Sequence, residues 1–339
     1  MKKKLLAVAA ILLLGGLAVM GYVYPKIYGA NVDLSGSEQV LYVPTGATYD
    51  DVLELLEPML KDPGGFEFVA GLKSYPDRVK PGRYTLREGL NNNALVNLLR
   101  AGNQTPVRVT FTPTRHIMEV AGKAARHLEL DSVALHSAMM NPDIAKQYGF
   151  TPATFSCMFI PNTYEFYWNT DVGGFLDRMG EEYKRFWNNS RRDKATAIGL
   201  TIEEVTTLAS IIKEEIVHAD EAPRVAGVYL NRVREGWRLD ADPTLKFANN
   251  DWTLRRVLDQ HKAIDSPYNT YKYAGIPPGP ITLPSSTLID AVLNAEKHDY
   301  FFFVANSNGD GYHHFSRTIG EHNRYARRYQ NTLNRQGIY

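Results

Sequence analysis

The distribution of apolar positions changes character several times along the chain. An uncharged run from Leu5 to Tyr24 follows Lys2, Lys3 and Lys4, and its length predicts a helix able to cross a bilayer. Lysines ahead of such a span favour an N-terminus that stays inside while the remainder is exported. Residues 1–4 are therefore expected in the cytoplasm, residues 5–24 as a single-pass anchor and residues 25–37 as a polar linker. A cleaved signal peptide is the competing reading, since Gly15, Gly16 and Ala18 supply small residues, although its apolar region is normally shorter.

Beyond the linker, strand-like and helix-like patterns follow one another twice. Val40–Val43 is followed by Pro44-Thr45 and by Val52, Leu55, Leu56, Met59 and Leu60 at helical spacing, with Thr48 as N-cap and Asp51 as its N3 partner. Val107–Phe111 is followed by Pro113-Thr114 and by Ile117, Val120, Ala121, Ala124 and Leu128. This weak repeat over 38–130 suggests small strand–helix modules, either for packing or for holding an extended ligand. From 132 to 191 the pattern is mainly helical, broken by Phe159–Tyr164. Thr201 and Glu204 form a second capping box for a helix reaching about Val217. A long Pro-, Gly-, Asn- and Tyr-rich stretch, 242–284, reads as loop. Tyr300–Ala305 and Tyr312–Phe315 flank Asn306–Gly311 as a hairpin, and a basic helix covers Glu321–Arg335. The fold class expected is α+β: an N-terminal transmembrane helix, small strand–helix modules, then a mixed α+β domain over 131–339 with a C-terminal β-hairpin.

One polar position breaks the apolar pattern. At about 100° per residue, Val205, Leu208, Ala209, Ile211, Ile212 and Ile216 share one arc of the 202–217 helix, and Glu215 falls inside it. Glu214 projects to the opposite, solvent side. An acid on the buried arc is costly when ionised, and desolvation raises its pKa, which suits a general acid near neutral pH. The alternative is a structural Glu paired with Arg224 or Arg232 on the next helix.

Composition narrows the chemistry further. Formal net charge is +1, giving no broad attraction to nucleic acid. The single cysteine, Cys157, excludes an intramolecular disulfide framework and a Cys-based metal cluster. His313-His314 is no metal pair, because neighbours on a strand face opposite ways, and neither HExxH nor a phosphate-binding glycine loop is present. No metal and no cofactor is expected. The loops following the Glu215 helix carry amides, hydroxyls and tyrosines together, a set that suits sugar rings and equally a Pro-stiffened structural loop.

The segment Leu208-Ala209-Ser210-Ile211-Ile212-Lys213-Glu214-Glu215 resembles the signature of the YceG-like family of endolytic murein transglycosylases. Pro161-Asn162-Thr163-Tyr164, Asn231-Arg232, Asp242-Pro243-Thr244, Tyr268-Asn269-Thr270-Tyr271, Gly275–Ile281 and His314-Phe315-Ser316 match in order. Ser156-Cys157 stand where members often have Glu-Gly, so a role for that upstream acid does not transfer. The resemblance implies a LysM-like glycan-positioning region over 38–130 and a catalytic domain over 131–339. It also implies a place in the inner membrane with the catalytic domain extracytoplasmic, peptidoglycan glycan strands as substrate and cell-wall synthases as neighbours. Glu215 would be the acid/base. Asn162, Thr163, Tyr164, Asp242, Thr244, Tyr268, Asn269, Tyr271, His314 and Ser316 would bind substrate. The alternatives left open are a water-using muramidase with a second acid such as Asp242, and a non-catalytic peptidoglycan-binding protein.

Overall fold

The computed structural model describes residues 2–254 and 257–335. Arg255 and Arg256 of the expected loop, and the terminal residues 1 and 336–339, lie outside the described residues. The chain divides into two compact units. The first comprises 1–109, 127–130 and 165–171; the second comprises 110–126, 131–164 and 172–339. This division differs from the expected ranges 38–130 and 131–339, because the two copies of the strand–helix pattern find different partners.

In the first unit, α1 (Lys2–Tyr28) is the apolar helix, longer than the 5–24 run. Among the described residues it alone is long and apolar enough by itself to cross a membrane. Leu5, Leu12, Leu13 and Leu14 stand uncovered by protein. Its C-terminal end is tied down where Asn92 Nδ2 donates to the Lys26 carbonyl at 2.8 Å and Ile27 packs on the core. Next come β1 (Glu38–Val43), α2 (Tyr49–Leu56), α3 (Pro63–Leu72), β2 (Gly82–Arg87) and α4 (Asn92–Ala101). The Thr48/Asp51 capping box starts α2 as expected. Strand β1 runs antiparallel to β2, Glu38 opposite Arg87 and Val43 opposite Gly82. Leu41, Val43, Val52, Leu56, Phe66, Tyr84, Leu95 and Leu99 form the enclosed core, so the alternating face of the strands and the stripes of the helices are buried against each other.

Strands β3 (Val107–Thr110) and β4 (Thr163–Phe166) pair with each other. The second unit then contains α5 (Met118–Ala125), α6 (Ser132–Met139), α7 (Pro142–Gln147), α8 (Val172–Phe186) and α9 (Asn189–Ile198). After these come α10 (Ile202–Glu215), α11 (Ala222–Arg234), α12 (Asp242–Ala248), α13 (Asp259–Lys262) and α14 (Ser286–Leu293). The hairpin β5 (Phe302–Ala305) and β6 (His313–Ser316) precedes α15 (Ile319–Arg335). The register pairs Phe302 with Ser316 and Ala305 with His313, which is the expected hairpin. The 242–284 stretch is less irregular than its composition suggests, since Pro243 at the start of α12 initiates a helix rather than breaking one.

Helix α10 is central. The Thr201/Glu204 capping box begins it, and it packs on α9, α11, α12 and α14. Val205, Leu208, Ala209, Ile211 and Ile212 are fully buried. Ser210, also fully buried, donates from its hydroxyl to the Thr207 carbonyl at 2.6 Å and accepts the Ile281 amide at 3.0 Å, pinning the Pro-rich loop to the helix.

Candidate active site

Glu215 is the last residue of α10, with Ile216 extended beyond it. Two consequences follow from that position. The carboxyl sits among buried neighbours, on the arc periodicity assigns it, and it lies at the helix end where unpaired carbonyls concentrate partial negative charge. Burial, reinforced by the negative charge of Asp242, pushes the Glu215 carboxyl up to about 7. Tyr229 on α11 partly offsets this, donating its hydroxyl to Glu215 Oε1 at 3.2 Å, and the more distant charges of Lys246 and Arg232 act in the same direction. Over the whole residue Glu215 keeps some exposure at the helix end, while its carboxyl is enclosed.

Neither arginine considered as a salt-bridge partner takes that role. Arg224 pairs with Glu296 at 2.9 Å. Arg232 is buried and spends Nε and Nη1 on the carbonyls of Phe301 (2.7 Å) and Leu239 (2.5 Å). Glu214, expected on the solvent side, is instead enclosed, its side chain 8% exposed. Arg115 meets it at 2.8 Å and Lys213 at 2.6 Å, and these cations hold its carboxyl below the ordinary range against the opposing effect of burial. Helical projection missed this because Arg115 reaches Glu214 from a segment 99 residues away along the chain. Adjacent acids on one helix end thus sit in opposite electrostatic states.

Asp242 opens α12, and its Oδ1 accepts the Tyr271 hydroxyl at 2.6 Å. The supporting turn is strained: Asp240 holds φ 47, a conformation disfavoured for residues with a Cβ. It is kept there by Asp240 N to the Thr270 carbonyl (3.2 Å) and Ala241 N to Thr270 Oγ1 (3.0 Å). Thr244, fully buried, bonds the Ala241 carbonyl and the Thr270 hydroxyl. Asn269 is also fully buried. Its Nδ2 donates to the carbonyls of Lys262 and Ile264, and its Oδ1 accepts the amides of Tyr271 and Lys272. The side chain's whole bonding capacity goes into shaping the loop that carries Tyr271. Tyr268 stacks obliquely on Phe247, ring centres 4.6 Å apart.

The remaining residues singled out from the sequence lie on β4, just before it, or on β6. Asn162 Oδ1 accepts the Thr163 amide, and Thr163 bonds Thr110 through their hydroxyls. Tyr164 is buried and donates to the Ile160 carbonyl at 2.6 Å. His314 stacks on Tyr325 of α15, and Ser316, two residues on and on the same strand face, is fully buried. The other face of β6 leads back to the carboxylate. His313 donates its backbone amide to Glu221 Oε1 and bonds Glu221 Oε2 through Nδ1, both at 2.9 Å. Its ring meets Phe303 edge-on, and Phe303 meets Tyr229 edge-on. Sequence reasoning missed Tyr229, Glu221 and His313. The available signal was Tyr229 itself, a hydroxyl within the apolar stripe of α11 that needs a partner when buried.

The unit therefore presents one enclosed, proton-retaining carboxyl flanked by a tyrosine donor and a second acid, an arrangement that can give and take a proton at neutral pH. The model of the YceG-like family matches residues 41–328, and the chain belongs to that family. An endolytic murein transglycosylase of Bacillus subtilis (strain 168) is 24% identical over 315 residues, covering 86% of this chain and 85% of the relative. One from Streptococcus pneumoniae R6 is 24% identical over 95% of this chain, which spans 64% of that longer protein. The crystal structure of a YceG-like protein from Listeria monocytogenes superposes with TM-score 0.54 at 25% identity, over 85% of this chain and 98% of that one.

Proposed function

We propose that the chain is a membrane-anchored endolytic lytic transglycosylase that cuts the β-1,4 bond between N-acetylmuramic acid and N-acetylglucosamine, with Glu215 as its acid/base. The observation that carries this reading is the Glu215 carboxyl, raised to about 7 by its enclosure and by the negative charge of Asp242. At neutral pH a large fraction of it is protonated, so it can donate to the glycosidic oxygen as the bond to C1 breaks. The resulting carboxylate then accepts the proton of the muramic acid's own C6 hydroxyl as that oxygen attacks C1. The products are a 1,6-anhydro end and a free 4-hydroxyl, and no water is consumed. Tyr229 steadies the carboxylate between the two steps, and the negative charges of the Asp242 and Glu215 carboxylates favour the developing positive charge at C1. Among the proposed sugar contacts, Asp242 and Tyr271 are electrostatically coupled to Glu215.

Helix α1 would anchor the chain in the inner membrane with residues 1–4 inside, as the lysines ahead of it favour. The β1-α2-α3-β2 arrangement would hold the glycan as a LysM-like module. The test is digestion of purified glycan strands with the native chain and Glu215→Gln, followed by mass spectrometry. Anhydro ends lighter by one water, lost in the variant, support the reading. Reducing ends would indicate a water-using muramidase, and undiminished cleavage by Glu215→Gln would remove Glu215 from the mechanism.

A further inference from the structure

A cavity of about 430 Å³ opens in the second unit, within the ~300–1,000 Å³ typical of ligand pockets. Its walls belong to the elements that build the site. Phe247 follows Lys246 on α12, and Tyr268 begins the loop that ends in Tyr271. Ile281 is the residue whose amide Ser210 of α10 accepts, and Arg115 is the cation holding Glu214. The lining is uneven in chemistry. Phe247, Tyr268, Met118, Met140 and Leu283 make it largely apolar, while Arg115, His116 and His136 bring nitrogen donors. No Asp or Glu is among the described residues that line it. A bare sugar ring, with many hydroxyl donors, is better served by carboxylate acceptors. This lining suits a short ligand that carries methyl side chains and its own carboxylates.

We propose that this cavity receives the peptide stem borne on the lactyl group of the muramic acid, and that the chain selects peptide-bearing over naked glycan. The inference rests on the transglycosylase reading for its choice of ligand. Alanyl methyls of the stem would lie against Phe247 and Tyr268, and its carboxylates would meet Arg115, His116 and His136. Binding there would place the attached muramic acid at Glu215, so a stem would act as a handle for the sugar to be cut.

The experiment is calorimetric titration of the full chain carrying Glu215→Gln, in detergent, with a soluble disaccharide bearing a stem and with the same disaccharide stripped of it. At least tenfold tighter binding of the stem-bearing ligand is expected. Met140 is 60% exposed, so Met140→Glu leaves packing undisturbed while placing an acid at the cavity. It should remove that preference without altering affinity for the stripped ligand, as should Ser156→Glu at another lining position, whereas Met140→Gln should keep the preference. Equal affinity for both ligands, absence of binding by the stem-bearing one, or a preference that survives both acidic variants would overturn the proposal. Turnover is not read here. A native chain that binds stems yet leaves glycan uncut would instead sink the transglycosylase reading.

Discussion

Replacing Glu215 with Gln tests the electrostatic argument separately from catalysis. Moving a carboxyl from 4.5 to about 7 corresponds to about 3 kcal/mol of preference for its protonated form, an upper figure because the residue retains some exposure. Between pH 4.5 and 7 the folded chain binds more protons here than the unfolded chain. Stability therefore falls as pH rises through that window and stays lowered above it. Glutamine preserves the shape, stays neutral at every pH and can still accept from Tyr229. At pH 4 the variant and the native chain should melt together. At pH 8 the variant should be more stable by up to about 3 kcal/mol, roughly 6–12 °C in Tm for a domain of this size. Scanning calorimetry of both proteins at the two pH values reads the difference directly, while glycan cleavage falls to background at both. A variant that is destabilised at pH 8, or shifted equally at pH 4 and pH 8, would refute the claim that Glu215 pays for its enclosure.

Tyr229→Phe removes the hydroxyl that favours the ionised carboxylate, so the pKa of Glu215 should climb further; the alkaline limb of the pH–rate profile is expected to move to higher pH, with kcat lowered. Ser210→Ala leaves the buried Ile281 amide without its acceptor, at a cost of about 1–3 kcal/mol, measured by urea denaturation. Arg115→Ala removes one of the two cations on Glu214; because Arg115 is half exposed, the loss is about 1–2 kcal/mol. Glu214 has a depressed pKa, so this contribution is present above its unfolded pKa and fades as pH drops through the folded one. Native and variant stabilities should converge in acid.

Much of the local structure is legible because its causes are local. The capping boxes at Thr48/Asp51 and Thr201/Glu204 each involve partners three residues apart, and the turn residues 306–311 bring β5 against β6. The strand–helix repeat misled for the opposite reason. Its two strands look alike in isolation, but β1 pairs with β2 and β3 with β4, and pairing depends on partners far along the chain. The 242–284 stretch reads as loop from its composition, yet Pro243, in the first turn of α12, lacks only an amide that has no partner within the helix there.

The carboxylate site divides in the same way. Sequence alone determined that Glu215 lies on the apolar arc of its helix, since helical periodicity is a property of adjacent residues. It also set the long apolar helix at the N-terminus and the class of side chains in the later loops. Only tertiary structure decided what surrounds the acid. The hydroxyl of Tyr229 from α11, the charge of Asp242 from α12, and the hairpin that backs Tyr229 through Phe303 and His313 reach it from separate elements. It also decided that Glu214, one residue away, is neutralised by Arg115. Electrostatic environment is fixed by proximity in space, and packing brings together groups whose separation along the chain carries no trace of it.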